Sequence, residues 1–228
     1  MSDPQPQSVV NALPATVIAL AVVIFGIECL FQLADNGFIG GAAGIGVRTS
    51  AIEQYAFFGQ MLGWMVESHQ YPPALLMRFV TYPLLHVTMT HAIFVCVFIL
   101  AMGKMVGEAF GGWAVLVLFF VSAIGGAMVY GLLLNTQYPL IGGFPGVYGL
   151  IGGYTFLMWV RSRALGQSQI QAFRLILFLL GAQLVFGLLF GAGKDWVADL
   201  AGFATGFALS FLLVPGGWAR LREMLRNR

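Results

Sequence analysis

The sequence predicts an all-α, polytopic membrane protein, a bundle of six transmembrane helices. Of its 228 residues 59% are hydrophobic and only 9% charged, with a mean hydropathy of +0.87. A soluble domain carries about 25% charged residues, so this chain lacks the charge to cover a water-facing surface. Its apolar residues are gathered into runs of about twenty, the length of helix that crosses roughly 30 Å of hydrocarbon. The 30 glycines fit helices that pack closely in lipid.

Taken in order, residues 1–13 form a short tail with Pro4 and Pro6 and no basic residue. They lack the positive opening and small-residue close of a secretory signal, so the first apolar run is expected to stay in the mature protein. The spans are expected near 14–34, 79–102, 113–134, 140–160, 172–190 and 196–214, one membrane domain over 14–214 without a visible repeat. In the long loop 35–78, Tyr55, Phe58, Leu62, Met65 and Val66 recur at helical spacing, and Glu53, Gln54, Gln60, Glu67 and Ser68 take the other positions. This predicts an amphipathic helix, lying in the interface or packed on the outer ends of the spans. Pro72 and Pro73 stop it. The tail 215–228 is basic and amphipathic, suited to anionic headgroups.

An even number of spans puts both termini on one side. That side carries Lys104, Arg161, Arg163, Arg174, Arg220, Arg222, Arg226 and Arg228, eight of the 11 basic residues; Arg48, Arg78 and Lys194 are on the other. The excess of positive charge on one side places both termini in the cytoplasm and the loop 35–78 outside. These arginines read as orientation signals, with a net charge of only +2, and no nucleic-acid partner is expected.

Cys29 and Cys96 both lie within apolar runs and read as small buried hydrophobes, without a disulfide framework. The informative polar residues are Glu28, His86, His91, Tyr148 and Asp199, because ionisable groups in a bilayer are costly and tend to mark function. Each also has a plainer reading: Glu28 as a hydrogen-bonding group to a neighbouring helix, the two histidines as structural polar groups near Pro83. Placed on one helix, His86 and His91 would be about 140° out of register, unlike the i, i+4 spacing of a zinc pair. No metal and no cofactor are expected. The serines well inside spans, Ser122 and Ser210, have no histidine placed to activate them.

Three segments in order resemble the rhomboid family of intramembrane serine proteases, over about residues 79–214. They are His86-x4-His91-x3-Val95 in the second span, Gly143-Phe144-Pro145-Gly146-Val147-Tyr148-Gly149 opening the fourth, and Ala198-Asp199-x2-Gly202-x3-Gly206 in the sixth. Gly103-Lys104-Met105-Val106-Gly107-Glu108 is similar to the short turn the family has before its third span. The resemblance implies a serine nucleophile at position 145, a histidine base at 199, an asparagine at 95, an oxyanion histidine at 91 and a tyrosine at 148 packed on the base. The chain has Pro145, Asp199 and Val95 instead, keeps His91 and Tyr148, and has Trp64-Met65 where the family has Trp-Arg. Proline has neither a hydroxyl to form an acyl-enzyme nor an N–H to donate to an oxyanion. The small residues that let helices approach, Gly142, Gly146, Gly149, Gly153, Gly202 and Gly206, are kept.

The resulting expectation is a divergent bacterial inner-membrane member of this family, a pseudoprotease that binds transmembrane segments or membrane-protein clients. Glu28, His86, His91, Tyr148 and Asp199 would serve as a polar binding cluster near a lateral opening between spans two and five. The alternatives are an active rhomboid-type endopeptidase with a non-standard site, against which stands the lack of any Gly-x-Ser at a span mouth, and a small transporter or channel, against which stand the short chain and the absence of paired broken helices.

Overall fold

The computed structural model describes residues 12–134, 136–190 and 193–214, and of 184 and 186–190 the backbone alone. Most of the first tail and all of 215–228 lie outside them. Helix α1 (Ala15–Asp35) starts at Pro14, where the missing N–H has no acceptor to lose. Thr16 Oγ1 donates to the Gly112 carbonyl at 2.8 Å and ties this end to the start of a later helix, α7 (Gly112–Leu133).

The loop segment is not one amphipathic helix. It divides into α2 (Val47–Tyr55) and α3 (Gly59–Ser68), separated by β1 (Phe57–Phe58). β1 pairs antiparallel with β2 (Pro139–Leu140), Phe57 opposite Leu140. The break has a packing cause: Phe57 is fully buried against Phe79 and Tyr82, which a continuous helix would not allow. Leu62 and Met65 of α3 are buried, and Leu62 meets α7 at Gly131, whereas Trp64 and Val66 face outward. The short helices α4 (Pro73–Leu76) and α5 (Arg78–Thr81) follow.

The second span begins ten residues later than the apolar run does, as α6 (Met89–Phe110). Pro83 sits at the second position of a 3₁₀ turn over Tyr82–Leu84, the chain runs extended through Leu85, and Thr88 caps the new helix by accepting from the His91 N–H at 3.2 Å. His86 is therefore on the connecting strand of chain and not on a helix, so the helical-register argument about the two histidines does not apply. Gly103–Glu108, expected as a turn, is helical. The turn comes at Gly111, with φ +93°, directly before α7 (Gly112–Leu133).

Helices α8 (Phe144–Ala164), α9 (Arg174–Phe190) and α10 (Trp196–Leu213) complete the six-helix membrane bundle. By length and hydropathy alone, α1, α6, α7 and α10 are the ones able to cross a bilayer among the described residues. α8 is as long, 21 residues, but rich in glycine and ended by Arg161 and Arg163. Eleven of its residues are buried, so α8 is solvated by protein and needs little lipid-like surface. It packs against α7 and α10 around Leu118, Phe119, Val147, Leu150 and Ile151. The α8–α10 seam is main chain against main chain: a Cβ at Gly202 would strike the Pro145 carbonyl, one at Gly206 the Gly149 carbonyl, and one at Gly152 the Phe203 carbonyl.

Candidate functional site

The site forms where the chain enters α8. Gly142 has φ +103°, and a side chain there would come within 2.7 Å of His91 Nε2, so a glycine both turns the chain and makes room for the ring. Pro145 follows in the first turn of α8, where a backbone N–H has no intrahelical acceptor, so proline is tolerated without breaking the helix. Val95, on α6, is fully buried and packs on Gly143. It is a hydrocarbon wall at a position where the resemblance implies an amide.

Asp199 is in the first turn of α10 and only 2% exposed. Its Oδ2 accepts a hydrogen bond from Gln183 Nε2 at 2.7 Å, and Tyr148 Oη donates to Gln183 Oε1 at 3.2 Å. Gln183 on α9 thus joins the two residues into one polar chain across three helices. The second oxygen of Asp199, Oδ1, is buried without a partner among the described residues. Sequence reasoning missed Gln183. The signal was available: one amide in an otherwise apolar span is as costly as the ionisable groups that were singled out.

The histidines make a separate group. Their rings meet edge-to-face at 5.0 Å, and His91 stacks on Phe144 at 5.1 Å. The Gly143 N–H points at His86 Nε2, 3.4 Å away, while His86 Nδ1 and His91 Nε2 are buried without a partner among the described residues. Among the described residues there is no group of three or more His, Cys, Asp or Glu able to hold a metal.

Glu28 has a different partner from the one the expected cluster would give it. Arg48 of α2 binds both its oxygens, at 2.8 and 3.0 Å, and also donates to the His86 carbonyl at 2.7 Å and to Asp35 at 2.9 Å. Burial pulls the Arg48 guanidinium down, but its bonds to Glu28 and Asp35 outweigh that and leave it above its ordinary value. Glu28 therefore anchors the loop 35–78 and the His86 segment to α1, and among the described residues it makes no hydrogen bond to His91, Tyr148 or Asp199. Among the described residues neither span serine meets a base: Ser210 donates to the Gly206 carbonyl at 2.7 Å, and Ser122 packs on Gly149 with its hydroxyl unpartnered.

Between α6 and α9 a cavity of about 350 Å³ opens beside this site. Its walls are apolar, with Phe98, Phe144 and Leu179 prominent, and its polar points are Tyr148 and Gln183.

A family model for the rhomboid domain matches residues 73–216. The chain belongs to the rhomboid family. It is similar to RHOMBOID-like protein 4 of Arabidopsis thaliana, 28% identical over 142 residues, which are 61% of this chain and 35% of that protein. It is also similar to Rhomboid-like protease 3 of Toxoplasma gondii, 32% identical over 134 residues, 59% of this chain and 50% of that one. The chain therefore spans half or less of the length of these two relatives. The match starts at α4 and runs to the end of α10, so in this rhomboid protein α1, α2 and α3 lie before the matched domain. All three segments read from the sequence fall inside it. Chemically, this rhomboid site offers a buried carboxyl group on an amide–phenol chain, two adjoining imidazoles of which His86 alone accepts a hydrogen bond among the described residues, and a proline in the first turn of α8.

Proposed function

We propose that this protein is a rhomboid-fold binding protein without peptidase activity, which receives transmembrane segments of client proteins at the cleft between α6 and α9. The observation that carries this reading is Pro145 at the mouth of α8. Its ring supplies no attacking oxygen and its nitrogen no donor, and Asp199 beside it is engaged by Gln183 and not by a hydroxyl. A retained polar chain at an apolar cleft suits recognition: Tyr148, Gln183 and Asp199 offer hydrogen bonds to a polar or helix-breaking residue in an otherwise apolar client. His86 and His91 join the proposed cluster through Phe144 of the cleft wall, on which His91 stacks, with His86 edge-on to His91. In this reading it is a multi-pass protein of a bacterial inner membrane, and the distribution of arginines supports placing both termini in the cytoplasm. Lipids are its other partner, and no cofactor takes part.

The test is cleavage of a panel of fluorogenic transmembrane substrates by the purified protein in liposomes, beside a Pro145→Ser, Asp199→His, Val95→Asn triple variant. The unmodified protein is expected to cleave none, and the triple variant to gain measurable cleavage. Cleavage by the unmodified protein that a point change in α6, α8 or α10 abolishes would refute the reading. Photo-crosslinked client capture should fall in an Asp199→Ala, His91→Ala variant; unchanged capture would remove those residues from the binding wall.

A further inference from the structure

At the arginine-bearing end of the bundle a second groove, of about 420 Å³, lies between the end of α8 and the start of α9. We infer that this groove is a headgroup site for an anionic phospholipid. Two cations from different elements line it, Arg161 in the last turn of α8 and Arg174 at the first position of α9, and among the described residues no carboxylate does. Arg161 complements the negative end of its helix. Arg174 adds positive charge where the helix end is already positive, and the first turn of α9 holds no acidic residue to offset it. Two guanidiniums sharing a groove repel each other, and a phosphate between them turns that repulsion into two charge-assisted contacts. Ser162, Gln167 and Gln171 supply neutral donors for the remaining oxygens.

The walls decide between a lipid and a soluble anion. Tyr154 and Met158 of α8 and Leu175 of α9 give both walls of the groove an apolar part. Phe178, one turn along α9 on the same face as Arg174, is 72% exposed, and neighbouring Leu177 is 63% exposed. A polar mouth that continues into an exposed apolar helix face matches a headgroup with its acyl chains, and basic grooves between membrane helices are where such headgroups bind. This site is on different residues from the α6–α9 cleft and does not depend on the client-binding reading.

The test uses the full chain purified in neutral detergent, offered equal amounts of phosphatidylglycerol and phosphatidylcholine, with retained lipid read by native mass spectrometry. Phosphatidylglycerol is expected to be retained preferentially. R161Q/R174Q should lower its retention on the order of 30-fold, two cationic contacts being lost. R161K/R174K should keep most of it, and R163Q, outside the groove, all of it. If R161Q/R174Q does not fold, R174Q alone should still lower retention about fivefold. Equal retention of the two lipids, an unchanged R161Q/R174Q or R174Q variant, or displacement of the lipid by millimolar inorganic phosphate would overturn the inference, the last by showing a soluble-anion site.

Discussion

Replacing Arg48 with glutamine should destabilise the bundle more than any other exchange of a single loop residue. Glu28 is 1% exposed, and of its three hydrogen bonds among the described residues Arg48 provides two and Gln32 the third, at 3.1 Å. Removing one partner of a buried ion pair leaves an uncompensated charge and costs about 3–5 kcal/mol. The Arg48 side chain keeps 11% exposure, so some water reaches the pair and the lower end, about 3 kcal/mol, is expected. Glu28→Gln should cost only about 1–1.5 kcal/mol, because Arg48 keeps Asp35 and the His86 carbonyl. The double variant has two neutral amides and no stranded charge, and should cost about 2 kcal/mol, less than Arg48→Gln alone. Reversible unfolding in mixed micelles measures all three. Additive costs, or an Arg48→Gln variant within about 0.5 kcal/mol of the unmodified protein, would refute the reasoning.

Gly206→Ala should cost about 2 kcal/mol or more in the same assay, because the added methyl strikes the Gly149 carbonyl and the helices must part. Gly63→Ala on α3 meets open space and should instead stabilise by about 0.5–1 kcal/mol, the usual helix gain. Gln183→Leu breaks the chain between Tyr148 and Asp199 and leaves a buried carboxylate with no donor. It is expected to cost about 2 kcal/mol and to reduce client capture, read by thermal unfolding and by crosslinking.

The six membrane helices and their order were legible because apolar run length reports on the bilayer itself. Four began and ended within a few residues of the expected limits, and α8 began four residues late, where Gly142 and Gly143 hold the entry. The second span was misplaced because a hydropathy run does not distinguish helical from extended apolar chain. Its true start was written in Pro83 and in Thr88, a capping residue three positions before His91. The amphipathic loop helix was misread for a related reason: Phe57 leaves helical geometry to reach a core that exists only once α5 and β2 are in place. At the site, the residues near position 145 were found from their motif. The bond from Gln183 to Asp199 and the clamp from Arg48 to Glu28 join positions 16 and 20 residues apart, and no local pattern announces such pairs.

The seam between α8 and α10 bears on how such a protein can change over generations. Its contacts run through carbonyls and bare α-carbons at Gly202, Gly206, Gly149 and Gly152, so the fit between the two helices makes little use of the side chains at 145 and 199. Those positions can drift through polar, apolar or cyclic residues while the mould around them keeps its shape. Heritable form and heritable reactivity are thereby written in different atoms, and a lineage can lose the second without losing the first.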